Sequence, residues 1–186
     1  MIQRQKKRSE LGIPHDATLL MSVGELNTNK NHETIIRAIT GLDVYYIIAG
    51  EGNLRAHLQR VIDELGLTER VKLLGYRTDV VELYRAADIC VFPSFREGLG
   101  MAAIEGMTCG LPLVAADNRG TRDYCRPGVN GLVCQPSDTA AFADAIKRLS
   151  ADACLRLKMA EANTEAVKKF DIIPVNEQMD RLYQRS

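Results

Sequence analysis

The sequence predicts an α/β fold, a Rossmann-like parallel sheet of about six strands with helices on both faces. Two observations carry this prediction. Short apolar runs rich in Val, Ile and Leu alternate with amphipathic segments of helical period, which is the pattern of repeated βα units. The apolar runs are continuous, as is typical of strands in a sheet that is covered on both sides. The 186 residues suffice to bury the core of such a domain.

The individual elements follow from the same patterns. Strands are predicted at residues 18–23, 44–49, 71–74, 89–92, 113–115 and 131–133. Helices are predicted at residues 31–39, 54–65, 79–87, 139–149, 152–170 and 174–183. A further helix is predicted directly after Gly100. Gly41, Gly66 and Gly110 stand where helix C-caps belong, and Asp138 stands where an N-cap belongs.

Composition and charge exclude several functional classes. The 24 Lys and Arg side chains balance 24 Asp and Glu side chains, so the chain lacks the basic excess of a nucleic-acid-binding protein. The five cysteines form no C-x-x-C pair and have no histidine at ligand spacing. Neither a zinc site nor a disulfide framework is therefore expected, and free thiols suit a reducing cytoplasm. No apolar run approaches the ~20 residues of a membrane span.

Two polar features have competing interpretations. Residues 1–10 form a basic segment without the apolar core of a signal peptide, and we expect a solvated, frayed terminus. Contact of its charges with anionic lipid or a partner is the alternative. His32 lies at a predicted helix start. We expect it to be an exposed surface residue, with a functional role as the alternative.

Three loops follow strands at the edge of the sheet where parallel α/β folds bind ligands. The first, residues 24–32, carries Gly24 and Lys30. Lys30 is either a point charge for a phosphate or a surface lysine ahead of a helix. The second loop covers residues 93–100 and is the most informative of the three. The third, residues 117–123, is a glycine-containing turn into a short helix and is weak evidence alone.

The second loop joins two carboxylates to a glycine pair at a helix start. Gly98 and Gly100 allow the backbone to approach a ligand closely, and the following helix offers free N–H groups to a phosphate. Glu97 and Glu105 flank that anion site. Carboxylates there are suited to binding hydroxyl groups of a sugar, because they would repel a phosphate. The alternative is an ordinary helix start, at which the helix dipole stabilises acidic residues.

Together these loops resemble the nucleotide-binding half of a retaining glycosyltransferase of family 4, the group 1 glycosyltransferases with the two-domain GT-B architecture. Glu97 and Glu105 are separated by seven residues that begin Gly-Leu-Gly, which is the family's signature. Residues 22–30 resemble its first phosphate loop, residues 71–77 its base-contacting strand end, and residues 127–133 a turn of the same fold. The resemblance runs from about Leu11 to the final predicted helix, and is strongest to bacterial capsular and exopolysaccharide enzymes.

The resemblance implies a role for each matched residue. Glu105 would bind the ribose hydroxyls, and Glu97, the candidate catalytic residue, would bind and position the sugar. Lys30 beside Gly24 would neutralise the diphosphate. The remaining donor-binding residues implied are the phosphate cradle of Gly98, Leu99 and Gly100 and the base contacts Tyr76 and Arg77. Neither a metal nor a cofactor is implied, because a lysine and a helix N-terminus can stabilise a departing diphosphate.

Two departures from the family pattern stand out. Glu25 follows Gly24 where many relatives carry an arginine, and Arg96 or Arg119 could supply the missing charge. A family member also has an amino-terminal acceptor domain, which the resemblance does not find here. Residues 1–10 would then be a remnant of the interdomain region and residues 11–186 the C-terminal donor-binding domain. We expect such a domain alone to bind the donor without transferring it.

The sequence thus favours transfer of a hexosyl group from a nucleotide sugar, a UDP-sugar above all, to a glycan or lipid-linked acceptor with retention, in polysaccharide biosynthesis. The expected location is the cytoplasm, at the inner membrane face through peripheral association. One alternative is a nucleotide-sugar epimerase or phosphorylase of the same two-domain shape. Another is a non-catalytic partner subunit, which exposed apolar side chains in the last helix would favour, namely Ile172, Ile173, Met179 and Leu182.

Overall fold

A six-stranded sheet in which all neighbouring strands are parallel forms the centre of the computed structural model, which describes residues 2–170. The strands are β1 (Thr18–Val23), β2 (Val44–Ala49), β3 (Val71–Gly75), β4 (Ile89–Phe92), β5 (Leu113–Ala116) and β6 (Gly131–Cys134). Their order in the sheet is β3-β2-β1-β4-β5-β6. The predicted fold class is therefore confirmed, and each predicted strand agrees to within one residue at its end.

The helices lie between the strands along the chain. They are α1 (Ile2–Glu10), α2 (His32–Ala38), α3 (Arg55–Glu64), α4 (Val80–Ala86), α5 (Met101–Thr108), α6 (Arg119–Arg122), α7 (Thr139–Ala151) and α8 (Ala153–Ala166), and a 3₁₀ turn (Lys168–Phe170) follows. The helix predicted at 152–170 thus ends four residues early. The helix predicted at 174–183, with Ile172, Ile173, Met179 and Leu182, lies outside the described residues.

Local signals in the sequence account for several helix ends. The Asp138 carboxylate accepts a hydrogen bond from the Ala141 N–H at 2.9 Å, which confirms the predicted N-cap of α7. Gly66, after α3, has a φ of +66°, and Gly110, after α5, has a φ of +76°. Both are left-handed conformations that favour glycine at a helix C-terminus.

Two apolar cores cover the two faces of the sheet. Side chains of α2, α3 and α7 pack on one face, where Leu20 of β1 points. Side chains of α4 and α5 pack on the other face, where Leu19 and Met21 point. Since alternate residues of a strand point to opposite faces, a continuous apolar strand fills both cores. No helix within residues 2–170 is long and apolar enough to cross a membrane.

The topology places a crevice between β1 and β4. Six consecutive residue pairs join β1 to β2, from Thr18 with Val44 to Val23 with Ala49. Only two pairs join β1 to β4, and the last of them is Met21 with Cys90. The chain order of strands reverses between β1 and β4, which is where doubly wound sheets bind their ligands.

The basic amino-terminal segment is a packed helix, so the expectation of a frayed, solvated terminus is wrong. Arg8 is only 1% exposed. Its guanidinium reaches Asp88 Oδ2 at 2.6 Å and donates to the carbonyl oxygens of Ala86 and Ala17 at 2.9 and 2.7 Å. Arg4 pairs with the other oxygen of Asp88 at 2.5 Å. A buried arginine is stable when its donors are satisfied in this way.

Candidate functional site

The loops after β1 and β4 are joined by hydrogen bonds at the carboxyl end of the sheet. The Phe95 N–H donates to the Asn29 carbonyl oxygen at 2.8 Å. The Asn29 amide side chain donates to the Arg96 carbonyl oxygen at 3.0 Å and accepts from the Arg96 N–H at 3.1 Å. Sequence reasoning missed Asn29, since an asparagine in a polar loop carries no signal of its partner.

Asn31 connects the same two loops to a third. It has a φ of +55°, a left-handed conformation that asparagine tolerates better than most residues. Its side-chain amide donates to the carbonyl oxygens of Pro93, at 3.1 Å, and Pro136, at 2.8 Å. The loops after β1, β4 and β6 therefore form one hydrogen-bonded floor.

An ion pair between Lys30 and Glu97 spans the crevice. Lys30 Nζ lies 2.6 Å from Glu97 Oε1, and it also lies 5.7 Å from the centroid of the Phe92 ring. The side chains are 23% and 14% exposed, respectively. A Cβ atom on Gly24 would lie 3.2 Å from Lys30 Cδ, so the glycine leaves room for the lysine stem. The structure thus brings together Gly24, Lys30 and Glu97.

The glycine loop ends in a helix start without a side-chain cap. Gly100 has a φ of +80° and forms the N-cap of α5. A Cβ atom there would lie 2.7 Å from Tyr124 Oη and 2.9 Å from the Phe92 ring, so the position requires glycine. No side chain among residues 2–170 caps α5, and the first N–H groups of a helix have no intrahelical acceptor, so those after Leu99 and Gly100 can bind a ligand. Exposed Gly98 leaves the approach open.

Glu105 stands at the rim of an apolar groove. It lies exposed on α5, one turn beyond the helix start, and α5 presses so closely on β4 that a Cβ atom on Gly106 would lie 2.7 Å from Cys90 Sγ. The groove has a volume of about 660 Å³ and runs between α4 and α5. Its walls include Val80, Met101 and Thr108. Sequence reasoning found Glu105 and missed these groove residues, because they look like ordinary helix residues.

The two candidate base contacts differ in their surroundings. Tyr76, directly after β3, is 76% exposed. Arg77 forms a two-bonded pair with Asp79, at 2.7 and 2.6 Å, and Lys7 of α1 binds the same carboxylate at 2.8 Å. The Arg77 and Lys7 cations hold the pKa of Asp79 well below its usual range. Tyr76 is therefore accessible to a ligand, whereas Arg77 is committed to an ion cluster.

The third loop, residues 117–123, packs against the second loop, residues 93–100. Asn118 caps α6 by accepting from the Thr121 N–H at 3.0 Å and donates to the Ser94 carbonyl oxygen at 2.9 Å. A Cβ atom on Gly120 would lie 3.1 Å from the Glu97 carbonyl oxygen. Arg96 and Arg119, the candidates for an additional positive charge, are exposed and form no ion pair within residues 2–170.

His32 is buried, so the expectation of a surface histidine is wrong. It is 3% exposed, and its Nδ1 lies 3.4 Å from Tyr46 Oη, which is 2.7 Å from Ser22 Oγ. The Ser22 hydroxyl in turn donates to the Val91 carbonyl oxygen at 2.8 Å. Burial lowers the pKa of His32 to about 4, so the ring is neutral at pH 7. The apolar period around His32 is that of an amphipathic helix, and the ring lies on its inward face.

Comparison with known proteins identifies the family of this arrangement. The family described as "Glycosyl transferases group 1" matches residues 3–166. The chain belongs to the group 1 glycosyltransferases. The resemblance to group 1 glycosyltransferases, inferred from Glu97, Glu105 and the glycine loop, is therefore confirmed.

Relatives of this group 1 glycosyltransferase chain come from several organisms. "Lipopolysaccharide core biosynthesis glycosyltransferase LpsE" of Rhizobium meliloti is 34% identical over 161 residues, which are 86% of this chain and 47% of the relative. "D-inositol 3-phosphate glycosyltransferase" of Corynebacterium jeikeium is 32% identical over 194 residues, which are 97% of this chain and 46% of the relative. The chain spans about half the length of the curated relatives it matches.

A solved structure shows the same architecture. Anabaena Alr3699/HepE, crystallised in complex with UDP and glucose, superposes with a TM-score of 0.92 at 27% identity. The match covers 99% of this chain and 52% of HepE. The group 1 glycosyltransferase chain therefore has the Rossmann-like fold found in GT-B enzymes.

Proposed function

We propose that this domain binds the nucleotide-sugar donor, a UDP-hexose, of a retaining glycosyltransferase that builds a polysaccharide or lipid-linked glycan. The observation that carries the proposal is the Lys30–Glu97 pair, which lies beside the free N-terminus of α5 at the crevice between β1 and β4. A cation, free N–H groups and a carboxylate in one crevice match a diphosphate that is joined to a sugar. The complexes of HepE with UDP and with UDP-glucose support the choice of nucleotide.

Donor binding exchanges the partners of the ion pair. A diphosphate carries more charge than the Glu97 carboxylate and also receives the N–H groups of α5, so it competes for the Lys30 ammonium. Lys30 then neutralises the leaving group, and Glu97 becomes available to accept hydrogen bonds from sugar hydroxyls. The pair holds both side chains in place before the donor arrives, which reduces the entropy that binding has to overcome.

The proposed chemistry depends on stabilising the departing diphosphate. As the bond between the anomeric carbon and the phosphate oxygen breaks, negative charge grows on the diphosphate near Lys30 and the start of α5. These groups need no reorientation during the reaction, and no metal or cofactor is part of this proposal. The exposed guanidinium groups of Arg96 and Arg119 are within the same loops and would add to the positive potential.

The nucleoside is proposed to occupy the groove between α4 and α5. Glu105 at its rim can accept hydrogen bonds from the two ribose hydroxyls. The apolar wall that includes Val80 and Met101 suits one face of a base, and the exposed Tyr76 ring can approach it from the end of β3. The acceptor, a glycan or a lipid-linked sugar, would be held by a second domain, as in the proposed parent enzyme, which would work in the cytoplasm at the membrane face.

A calorimetric titration of UDP and of GDP into the chain tests the proposal. We expect saturable binding of UDP that Glu105→Ala weakens by about tenfold or more, because two charge-assisted hydrogen bonds are lost. Glu161→Ala is the matched control, since Glu161 is an exposed glutamate on α8 away from the groove. Absence of UDP binding at millimolar concentration, or equal binding by Glu105→Ala, would contradict the assignment. Binding of GDP alone would contradict the choice of base.

A further inference from the structure

A buried hydroxyl group without a partner lies behind the glycine loop. Tyr124 is 3% exposed, and its Oη atom has no hydrogen-bond partner among residues 2–170. The neighbouring Thr121 hydroxyl donates to Asn118 Oδ1 at 3.2 Å. Buried hydroxyl groups are nearly always paired, because an unpaired one destabilises the folded state. A phenylalanine would fill the same space without an unpaired hydroxyl group. The presence of tyrosine therefore suggests that the hydroxyl group has a function.

The hydroxyl group lies against the backbone that forms the start of α5. A Cβ atom on Gly100 would be 2.7 Å from Tyr124 Oη. The ring is fixed from its other side by an edge-to-face contact with Phe170, with centroids 6.3 Å apart and planes at 81°. The helix α6, which precedes Tyr124, also supports Glu97, since Gly120 touches the backbone of that residue. Tyr124 and Glu97 therefore belong to one packed unit.

The hydroxyl group is a proton donor at neutral pH. Burial raises the pKa of Tyr124, and the negative charge of Glu97 adds a smaller increase. A protonated phenol beside a carboxylate can form a short O–H···O⁻ hydrogen bond, which is stronger than one between neutral groups. In the unliganded domain the carboxylate is held by Lys30 instead, at 2.6 Å.

We propose that Tyr124 is a positioning residue for the sugar end of the donor, and that its hydroxyl group donates a hydrogen bond to Glu97 when the diphosphate draws Lys30 away. The inference rests on the proposed donor site. Glu97 is 14% exposed at its side chain, so its carboxylate needs a new donor when it loses the lysine. One carboxylate oxygen then receives the tyrosine hydroxyl, and the other remains for the sugar hydroxyls.

The Tyr124→Phe variant separates this role from simple packing. UDP and UDP-glucose are titrated into the chain and into the variant, and thermal unfolding is followed for both. UDP leaves the sugar site open to water, which can hydrate Glu97 in place of the tyrosine, so we expect the variant to bind UDP within about twofold of the original chain. The sugar of UDP-glucose takes the place of that water, so we expect the variant to bind UDP-glucose about tenfold more weakly. The ratio of the two dissociation constants therefore rises about tenfold. The melting temperature should stay the same or rise, because an unpaired buried hydroxyl is removed.

Tyr46→Phe is the matched control. Tyr46 is also buried, but its hydroxyl is paired with Ser22 Oγ at 2.7 Å. Removing it should lower the melting temperature and leave the ratio of dissociation constants unchanged. A double-mutant cycle adds an independent test. In the Glu97→Ala background, Tyr124→Phe should no longer change the ratio, because no side-chain acceptor remains at position 97.

The outcomes distinguish this inference from the proposed function. If the original chain binds both ligands and Tyr124→Phe leaves the ratio unchanged, the inference is wrong and the donor site stands. Equal weakening of UDP and UDP-glucose, or an undiminished effect in the Glu97→Ala background, also overturns it. If the original chain binds neither UDP nor UDP-glucose, the proposed function itself fails.

Discussion

Two sets of ion pairs in this domain have similar distances and different surroundings. On α1, Arg8 binds Asp88 at 2.6 Å and is enclosed by backbone carbonyl groups, which receive its remaining hydrogens. In the crevice, Lys30 binds Glu97 at the same distance with no further hydrogen-bond acceptor among the described residues. A fully coordinated pair fixes a helix, whereas a pair with spare hydrogen-bonding capacity can exchange partners. Burial and coordination, not distance, separate the scaffold from the site.

The largest loss of stability is expected when Arg8 is removed, because this breaks its ion pair with Asp88. Arg8→Ala leaves the poorly exposed Asp88 carboxylate with fewer donors and opens a cavity, so we expect a loss of about 3–5 kcal/mol of unfolding free energy. Guanidinium denaturation of the chain at pH 7 measures it. A loss below 1 kcal/mol would show that the α1 pair is no stronger than a surface pair.

His32 is a second residue that should affect stability, although it lies close to the candidate site. In the folded chain its pKa is lowered to about 4 from 6.5, so the unfolded chain binds more protons between these values. The stability associated with neutral His32 is complete above about pH 6.5 and is lost as pH falls towards 4, by at most about 3 kcal/mol. Denaturant unfolding from pH 7 to 4 should show this decline, and His32→Gln should flatten it. An identical decline in the variant would assign it to other groups.

Replacing Lys30 should affect ligand binding more than stability, whereas replacing Arg8 should mainly affect stability. Lys30→Met keeps the aliphatic stem that packs near Gly24 and removes the charge, so we expect UDP affinity to fall about 10- to 100-fold. The unfolding free energy should fall by less than in Arg8→Ala, because the Lys30 side chain is 23% exposed and donates to no backbone carbonyl among the described residues, whereas Arg8 is buried and donates to several. Titration of UDP and guanidinium denaturation of the same preparation measure both quantities. A large loss of stability with unchanged affinity would make Lys30 part of the scaffold.

The smallest effect is expected at an exposed pair on α2. Arg37 and Glu33 are four residues apart and lie 2.7 Å from each other, with the arginine side chain 48% exposed. Arg37→Ala should change the unfolding free energy by about 0.5 kcal/mol or less, and the change should shrink in 1 M salt. An effect as large as that of Arg8→Ala would contradict the importance of burial.

The strands and helix ends were predictable because local chemistry determines them. Apolar runs specify strands that are buried on both faces, and Asp138 supplies the N-cap of α7 by a contact three residues away. The Glu97-to-Glu105 spacing likewise predicts a loop and helix that the structure contains. These signals involve residues that are close in sequence, so they can be recognised without the tertiary structure.

The rest depends on partners that are distant in sequence. The burial of Arg8 requires Asp88, 80 residues later, and a basic segment alone predicts only charge. His32 is buried because β2 supplies Tyr46, and the ion cluster that occupies Arg77 requires Lys7 of α1. Tyr124 could have been suspected only from its place after the third loop. Contacts of this kind are properties of the assembled sheet.

The amide hydrogen bonds of Asn29 and Asn31 have a consequence for how the domain responds to its ligand. They join the loops after β1, β4 and β6 by hydrogen bonds. A ligand that engages any one of these loops must therefore slow hydrogen exchange in all three. Asn31→Gly would retain the left-handed backbone and remove the hydrogen bonds to Pro93 and Pro136, and the protection conferred by a ligand at the loops after β1 and β4 would then no longer extend to the loop after β6.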